Sequence, residues 1–455
     1  MTPVRRLPPM LPLAAVALSL LTLGAAPAPV PVASRPVLLL ETRPVETLLG
    51  NKDVYDAATV WLDAIAGAKK SLDLEHFYLS TWPGEPMQPV IAALAAAAKR
   101  GVRVRLILDA RMHATYPQPA DSLGTLKNLE VRVLDMKQVS GGGVQHAKYF
   151  IIDGDQVIVG SQNLDWRSLK HIHELGVRVR EPRIATEFAR VFESDWAAAA
   201  PTGGAKPAGS AAATLASGSP AQPMNPPTLE DMRVDNAARG GAAGPRGIPL
   251  VNGPGDTAWV RASFSPIGHA PDGLASDRER IVALIDSAKR DVVVQLLTYG
   301  NGRAGDRDTT IDLALRRAAA RGVGVRMVVS DWEADSGRLA DLEALSGLPN
   351  VHIKLSHVPE WSGGYIPFAR VEHCKYMVVD LMTTWIGTAN WEPDYFHSSR
   401  NAAITIENRP IAVDARNIFM ASWDALTARM VVPGLAVEKR VHGETPPSGM
   451  KTYGK

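Results

Sequence analysis

Apolar positions along the chain switch repeatedly between two periods. Val54, Ala57, Ala58, Trp61, Leu62 and Ile65 recur three and four residues apart, which predicts a helix over 54–68. The next stretch, S-L-D-L-E-H-F-Y-L over 71–79, alternates and predicts a strand. An Ala-rich helix over 90–100 closes at Gly101, and strands follow at 102–109 and 129–134. Two short runs, 149–152 and 156–159, flank Asp153-Gly154 as a hairpin. E-L-G-V-R-V-R at 174–180 is a further strand, and 184–197 a helix. The series then restarts, with helices at 277–289 and 310–321, strands at 292–299 and 323–331, and a last helix at 412–428. An opening strand and turn are expected over 37–40 and 45–49. Strands alternating with helices at this spacing predict an α/β protein of two halves with mixed sheets.

Three stretches break the pattern. Residues 1–34 carry Arg5 and Arg6, a short apolar run and then G-A-A-P-A-P, so a secretory signal peptide and an exported, periplasmic or secreted, product are expected, with an uncleaved membrane anchor as the alternative. Residues 199–250 are dominated by Ala, Gly, Pro and Ser and read as a linker. From 433 the chain reads as a disordered tail, which leaves lobes at 35–198 and 251–432. With 46% apolar residues each half can bury a core. Lys and Arg number 49 against 47 Asp and Glu, so global charge does not steer the chain to nucleic acid or anionic lipid. Cys374 is the one cysteine, which excludes an internal disulfide. It lies between His373 and Lys375, so alternation turns it into the sheet as a small hydrophobe.

The chemistry sits in V-Q-H-A-K-Y-F-I-I-D-G-D-Q-V-I-V-G-S-Q-N, which carries His146, Lys148, Asp153 and Asn163. The same frame returns at His373, Lys375, Asp380 and Asn390, each 227 positions after its counterpart. His and Lys two apart on extended chain share a face, and the Asn follows in a loop able to return beside the imidazole. Two such units facing each other offer two imidazoles, two ammonium groups and two amides. That set suits a phosphodiester: Lys148, Lys375, Asn163 and Asn390 supply donors to phosphoryl oxygens, one His attacks phosphorus, and the other moves protons. No carboxylate cluster to hold a metal is evident, and no cofactor is expected.

Secondary roles follow from position. Glu174 lies 11 residues after Asn163, and the matching position of the second half is Asn401. A carboxylate that fixes one imidazole through Nδ1 sharpens its Nε2. On that ground His146 is the expected nucleophile and His373 the acid/base. Asp153 and Asp380 sit where strands turn and are expected to be structural, capping backbone N–H groups or holding a neighbouring side chain, rather than catalytic. Ser161 and Thr388 either donate to phosphate or shape their loops. Trp166, Trp391, Tyr395 and Phe396 flank the site and read more readily as core than as stacking platforms.

The pair H-A-K-Y-F-I-I-D and H-C-K-Y-M-V-V-D resembles the duplicated signature of the phospholipase D superfamily. G-S-Q-N-L-D-W-R-S-L, H-E-L-G-V, A-R-V-E-H-C-K-Y-M-V and G-T-A-N-W resemble the branch that holds mammalian lysosomal members and poxvirus envelope proteins. The resemblance implies two α-β-α lobes about a pseudo-twofold axis with one active site between them. It implies His146, Lys148, Asn163, His373, Lys375 and Asn390 as the catalytic set. The substrate it implies is a phosphodiester, either single-stranded nucleic acid cut from its 5′ end or a phospholipid whose headgroup is released or exchanged. The lipid case is compatible with peripheral membrane contact, and no obligatory protein partner is expected. A non-catalytic scaffold that keeps the fold is the alternative.

Overall fold

The computed structural model describes residues 35–202 and 247–454, apart from 304, 336 and 441. The expected signal peptide and most of the linker lie outside the described residues. Each half is built on a nine-stranded mixed sheet. In the first, strand order runs Ala200–Pro201, Leu129–Leu134, Arg103–Asp109, Ser71–His76, Tyr149–Ile152, Gln156–Gly160, Glu174–Arg180, Val37–Thr42, Tyr55–Asp56. The second repeats it: Arg429–Met430, Val351–Ser356, Gly324–Ser330, Asp291–Leu296, Tyr376–Val379, Thr383–Gly387, Asn401–Glu407, Asp256–Ser265, Ile248–Gly253. Helices join the parallel strands Ser71–His76, Arg103–Asp109 and Leu129–Leu134, and likewise Asp291–Leu296, Gly324–Ser330 and Val351–Ser356; Val37–Thr42 pairs in parallel with Tyr55–Asp56 across a loop, and each motif hairpin runs antiparallel at the centre.

The predicted elements appear where the periodicity put them, with shifted ends. The first helix is Ala57–Gly67, begun by Asp56, whose carboxylate accepts from the Thr59 N–H. The last is Arg409–Trp423, capped by Asn408 on Ile411 N–H and shorter at its C-terminal end than expected. The stretch 45–49 is loop and turn. Both ends expected as linker are strand: Ala200–Pro201 pairs with Leu129–Leu134, and Ile248–Gly253 with Asp256–Ser265.

The expectation of a disordered tail fails. Tyr365 N–H donates to Lys451 O at 2.9 Å, Tyr453 N–H to Tyr365 O at 2.8 Å, and Phe368 N–H to His442 O at 2.9 Å. Tyr453 also reaches the first lobe, where its hydroxyl donates to buried Glu85 at 2.8 Å and its ring meets Trp166, and it packs against Trp361 of the second lobe. A few aromatic and backbone contacts hold this segment, so no apolar period announces it.

Three apolar clusters organise the molecule. One lies under each lobe's outer helices. The third joins the lobes, combining Val157, Val177 and Phe188 with Phe264, Ile386 and Ile404. The sheets thus meet through the motif strands and their neighbours, and Phe188 packs edge-on against Phe264 with centroids 5.0 Å apart. Among the described residues no helix is long and apolar enough to cross a membrane.

Candidate active site

Each motif enters its sheet through a bond to the other lobe. His146 N–H donates to Arg400 O at 2.9 Å, and Arg400 N–H returns to Val144 O at 3.0 Å. The same pair recurs 227 positions on: His373 N–H to His173 O, and His173 N–H to Val371 O, both 3.0 Å. This matched exchange brings both motifs to the lobe boundary, as two units about a pseudo-twofold axis require. Gly160 allows the tight strand pairing beside it, since a Cβ there would lie 2.5 Å from Gly176 Cα.

The imidazoles are oriented across the boundary as well. His146 Nδ1 lies 3.1 Å from Oδ1 of Asn401, a second-lobe residue. The amide is fixed in that sense: its Nδ2 donates to Tyr395 O and Ser399 O, and Oδ1 accepts from Thr388 Oγ1 at 2.9 Å. His146 Nδ1 therefore carries the proton and Nε2 presents its lone pair. His373 Nδ1 lies 2.7 Å from Oε2 of Glu174, a first-lobe residue, whose Oε1 accepts from Ser168 Oγ at 2.8 Å. Here the sequence expectation is corrected: Glu174 serves the opposite lobe's histidine. Within each half the orienting residue lies 28 positions after the histidine, whereas the observed pairs are 199 and 255 apart, so the regular spacing could not reveal that strands exchange partners.

The lysines lie underneath. Lys148 Nζ donates to His146 O at 2.6 Å and Lys375 Nζ to His373 O at 2.7 Å, which leaves further donors on each ammonium. Burial, then Lys375, holds Lys148 well below its ordinary range; burial brings Lys375 down to about 8 against the pull of Glu174. Burial and the two ammonium groups likewise depress both imidazoles. Glu174 is pushed up to about 8 by burial, against Lys375, Ser161 and Ser168. The Glu174–His373 pair thus retains a shared proton that His146, facing a neutral amide, lacks. An anion among these groups reverses the cationic repulsion and favours proton uptake.

The remaining predicted residues divide clearly. Asn163 and Asn390 each bury an Oδ1 without a partner, and the Asn390 side chain is hydrogen-bonded to the Tyr395 hydroxyl. Asp153 accepts from Lys69, Lys70 and Ser71 N–H, and Asp380 from Lys289, Arg290 and Asp291 N–H. Their carboxylates are spent on backbone. Ser161 exchanges bonds with Leu175, and Thr388 bonds Asn401 and Ala402 N–H, so both shape the site from behind. Trp391 and Phe396 are core, while Tyr395 stands edge-on to His146 at 4.9 Å. Phe77 flanks the same imidazole at 5.1 Å, with Lys148 Nζ 5.3 Å from its ring. Sequence reasoning missed Phe77, Ser168 and Asn401 as site residues. The shared 227-residue frame did place Asn401 opposite Glu174.

One grouping has metal-like proximity: ligand atoms of His173, Glu372 and Cys374 lie within 4.8 Å of one another. Both ring nitrogens of His173 already face carboxylates, and burial pushes the Cys374 thiol up. The grouping reads as a hydrogen-bonded knot.

The family model described as cardiolipin synthase, PLD-like domain, matches twice, over residues 61–196 and 281–423. The chain belongs to the phospholipase D superfamily. It is 30% identical over 416 residues to the 5′-3′ exonuclease PLD3 of Macaca fascicularis, covering 84% of this chain and 79% of that protein. It is 27% identical over 395 residues to phospholipase D Z of Dictyostelium discoideum, covering 83% and 86%. The phosphatidylserine synthase of Haemophilus influenzae shares the fold, with a TM-score of 0.52 at 13% identity over 82% of this chain and 85% of that one.

Proposed function

We propose that this superfamily hydrolase cleaves phosphodiesters through a phosphohistidine on His146, with His373 as acid and then base. The observation that carries this reading is the unlike pairing of the imidazoles, His146 with an amide and His373 with a carboxylate. A nucleophile needs a bare Nε2, and a neutral Nδ1 acceptor supplies that without favouring a second proton. The acid needs a proton at Nε2, and a buried carboxylate retains one. This reverses the reason given for the roles in the sequence while keeping the roles.

In the first step His146 Nε2 bonds to phosphorus, the bond to the leaving oxygen breaks, and His373 Nε2 gives that oxygen its proton. In the second, water passes a proton to His373 and attacks phosphorus, releasing His146 and a phosphomonoester. Lys148, Lys375 and the amides of Asn163 and Asn390 hold the non-bridging oxygens throughout. No metal is called on for either step.

Two relatives carry unlike names, an exonuclease and a phospholipase D, so the assay has two arms. With EDTA present, single-stranded oligonucleotides bearing 5′-hydroxyl or 5′-phosphate are compared with phosphatidylcholine and phosphatidylglycerol vesicles, with H146N as control. Mononucleotide release identifies one substrate class, and phosphatidic acid or an exchanged headgroup the other. Activity in neither arm, or activity retained by H146N, overturns the reading. Export directed by residues 1–34 belongs to the same proposal, and sequencing the mature N-terminus tests it.

A further inference from the structure

Behind the acid/base pair lies a buried cation that the reaction above does not use. His173 has no exposed surface, and neither do Glu41 and Glu372. Its Nε2 is 2.9 Å from Glu41 Oε1 and its Nδ1 2.8 Å from Glu372 Oε2. With both carboxyl groups ionised they can only accept, so both ring nitrogens carry protons and the ring is an imidazolium. Burial opposes that charge, but Glu372 and Glu41 outweigh it and push His173 up to about 10.

The other neighbours are accounted for. Glu41 also accepts from Asn51 N–H and has Arg43 at 3.8 Å. Glu372 takes bonds from Ser422 Oγ and Cys374 N–H, and Gln295, held by Tyr376 and Ser422, stands 3.5 Å from Nδ1. The matched position in the other half is Arg400, buried and bidentate on Asp195 at 2.7 and 2.8 Å. Each cation immediately precedes the residue that orients an imidazole, His173 before Glu174 and Arg400 before Asn401. Glu372 in turn immediately precedes His373.

We propose that His173 is a positioning residue whose charged ring, clamped between Glu41 of one lobe and Glu372 of the other, fixes the Glu174–His373 bond across the lobe boundary. This positioning role depends on the acid/base role proposed for His373. A neutral side chain at this place leaves two buried carboxylates without their donor. The bridge between His173 and Glu372 then relaxes, and the 2.7 Å bond next to it lengthens.

The test follows histidine ring nitrogens by NMR across a pH titration, alongside steady-state kinetics, in wild type, H173Q, H173R and E372Q. His373 is faced by Glu174, Lys148, Lys375, Glu372 and His146, and the variants leave Glu174, His146 and both lysines in place. The expected result is a His173 ring doubly protonated at pH 8. H173Q is expected to lower kcat about tenfold or more with KM within about twofold, and to move the His373 titration and the basic limb of kcat/KM by about half a pH unit or more. H173R, which copies Arg400, restores part of the rate. E372Q removes a carboxylate that favours the charged His373 ring, so the limb moves to lower pH even if H173Q fails to fold. A wild-type His173 that titrates near the ordinary histidine range overturns the proposal, as does a folded H173Q with wild-type kcat and an unmoved His373. If the wild type cleaves no phosphodiester the reaction scheme fails, and the NMR titration still decides the role of His173.

Discussion

The two imidazoles occupy matched positions in matched folds, yet they rest on unlike partners. His146 donates to the amide of Asn401, and His373 to the carboxylate of Glu174. The surroundings are otherwise shared: each has a lysine bonded to its own carbonyl, and each is buried and depressed by both ammonium groups. The difference teaches that, under the proposed mechanism, one oriented side chain apiece, delivered from the opposite lobe, sets the acid and nucleophile roles.

The comparison breaks most completely at the imidazoles. H146N should abolish turnover, about 10³-fold or more, and prevent a trapped phosphoenzyme. H373N should lose as much turnover on a poor leaving group, yet still form phosphohistidine with an activated aryl phosphodiester. Mapping that adduct to His373 in the wild type would reverse the assignment.

Next is E174Q, which gives both imidazoles an amide. We expect kcat to fall about 10²-fold. The sign of its pH effect follows from Glu174. In the wild type the pair is expected to hold its proton up to about pH 8, so kcat/KM should fall above about pH 8. Without that carboxylate, burial and the two lysines outweigh Glu372 and lower His373, so the basic limb should move to the acid side of 6.5. A limb that stays near 8 in E174Q assigns it elsewhere, Lys375 being the alternative.

N401D makes the opposite change. A carboxylate on His146 favours its protonated form, so the acid limb should rise and kcat/KM fall about tenfold below neutrality, with less loss above it. The pH profile of kcat/KM reads this directly.

The smallest effect on chemistry is expected at the two aspartates, where the halves are alike. D153N and D380N each weaken a set of backbone N–H bonds and should cost about 1–3 kcal/mol by denaturant unfolding, with kcat within about twofold. For Asp153 those bonds outweigh burial and hold its carboxyl low. Its contribution is therefore present above the unfolded value of about 3.9 and is lost as pH falls through the lower folded value.

Much of this was legible in the sequence. The two periods located the helices and strands about each motif, and the 227-residue repeat located all eight motif residues. Asp153 and Asp380 could be read as caps because a strand that turns leaves N–H groups to satisfy. What sequence could not show was exchange. Glu174 is 28 positions from His146 and 199 from His373, and nothing local says that the longer separation is the contact. The tail escaped for a related reason: Tyr453 is anchored by single contacts to Tyr365 and Glu85, far from it in the chain.

The crossing of partners has a consequence for any arrangement made from one half alone. Two copies of the first lobe, paired in this geometry, would set Glu174 against both histidines; two copies of the second would set Asn401 against both. Either homodimer would hold chemically identical imidazoles, told apart only by which had captured a proton at that moment. Joining unlike halves in one polypeptide removes that coin toss, because the division of labour is inherited with the chain.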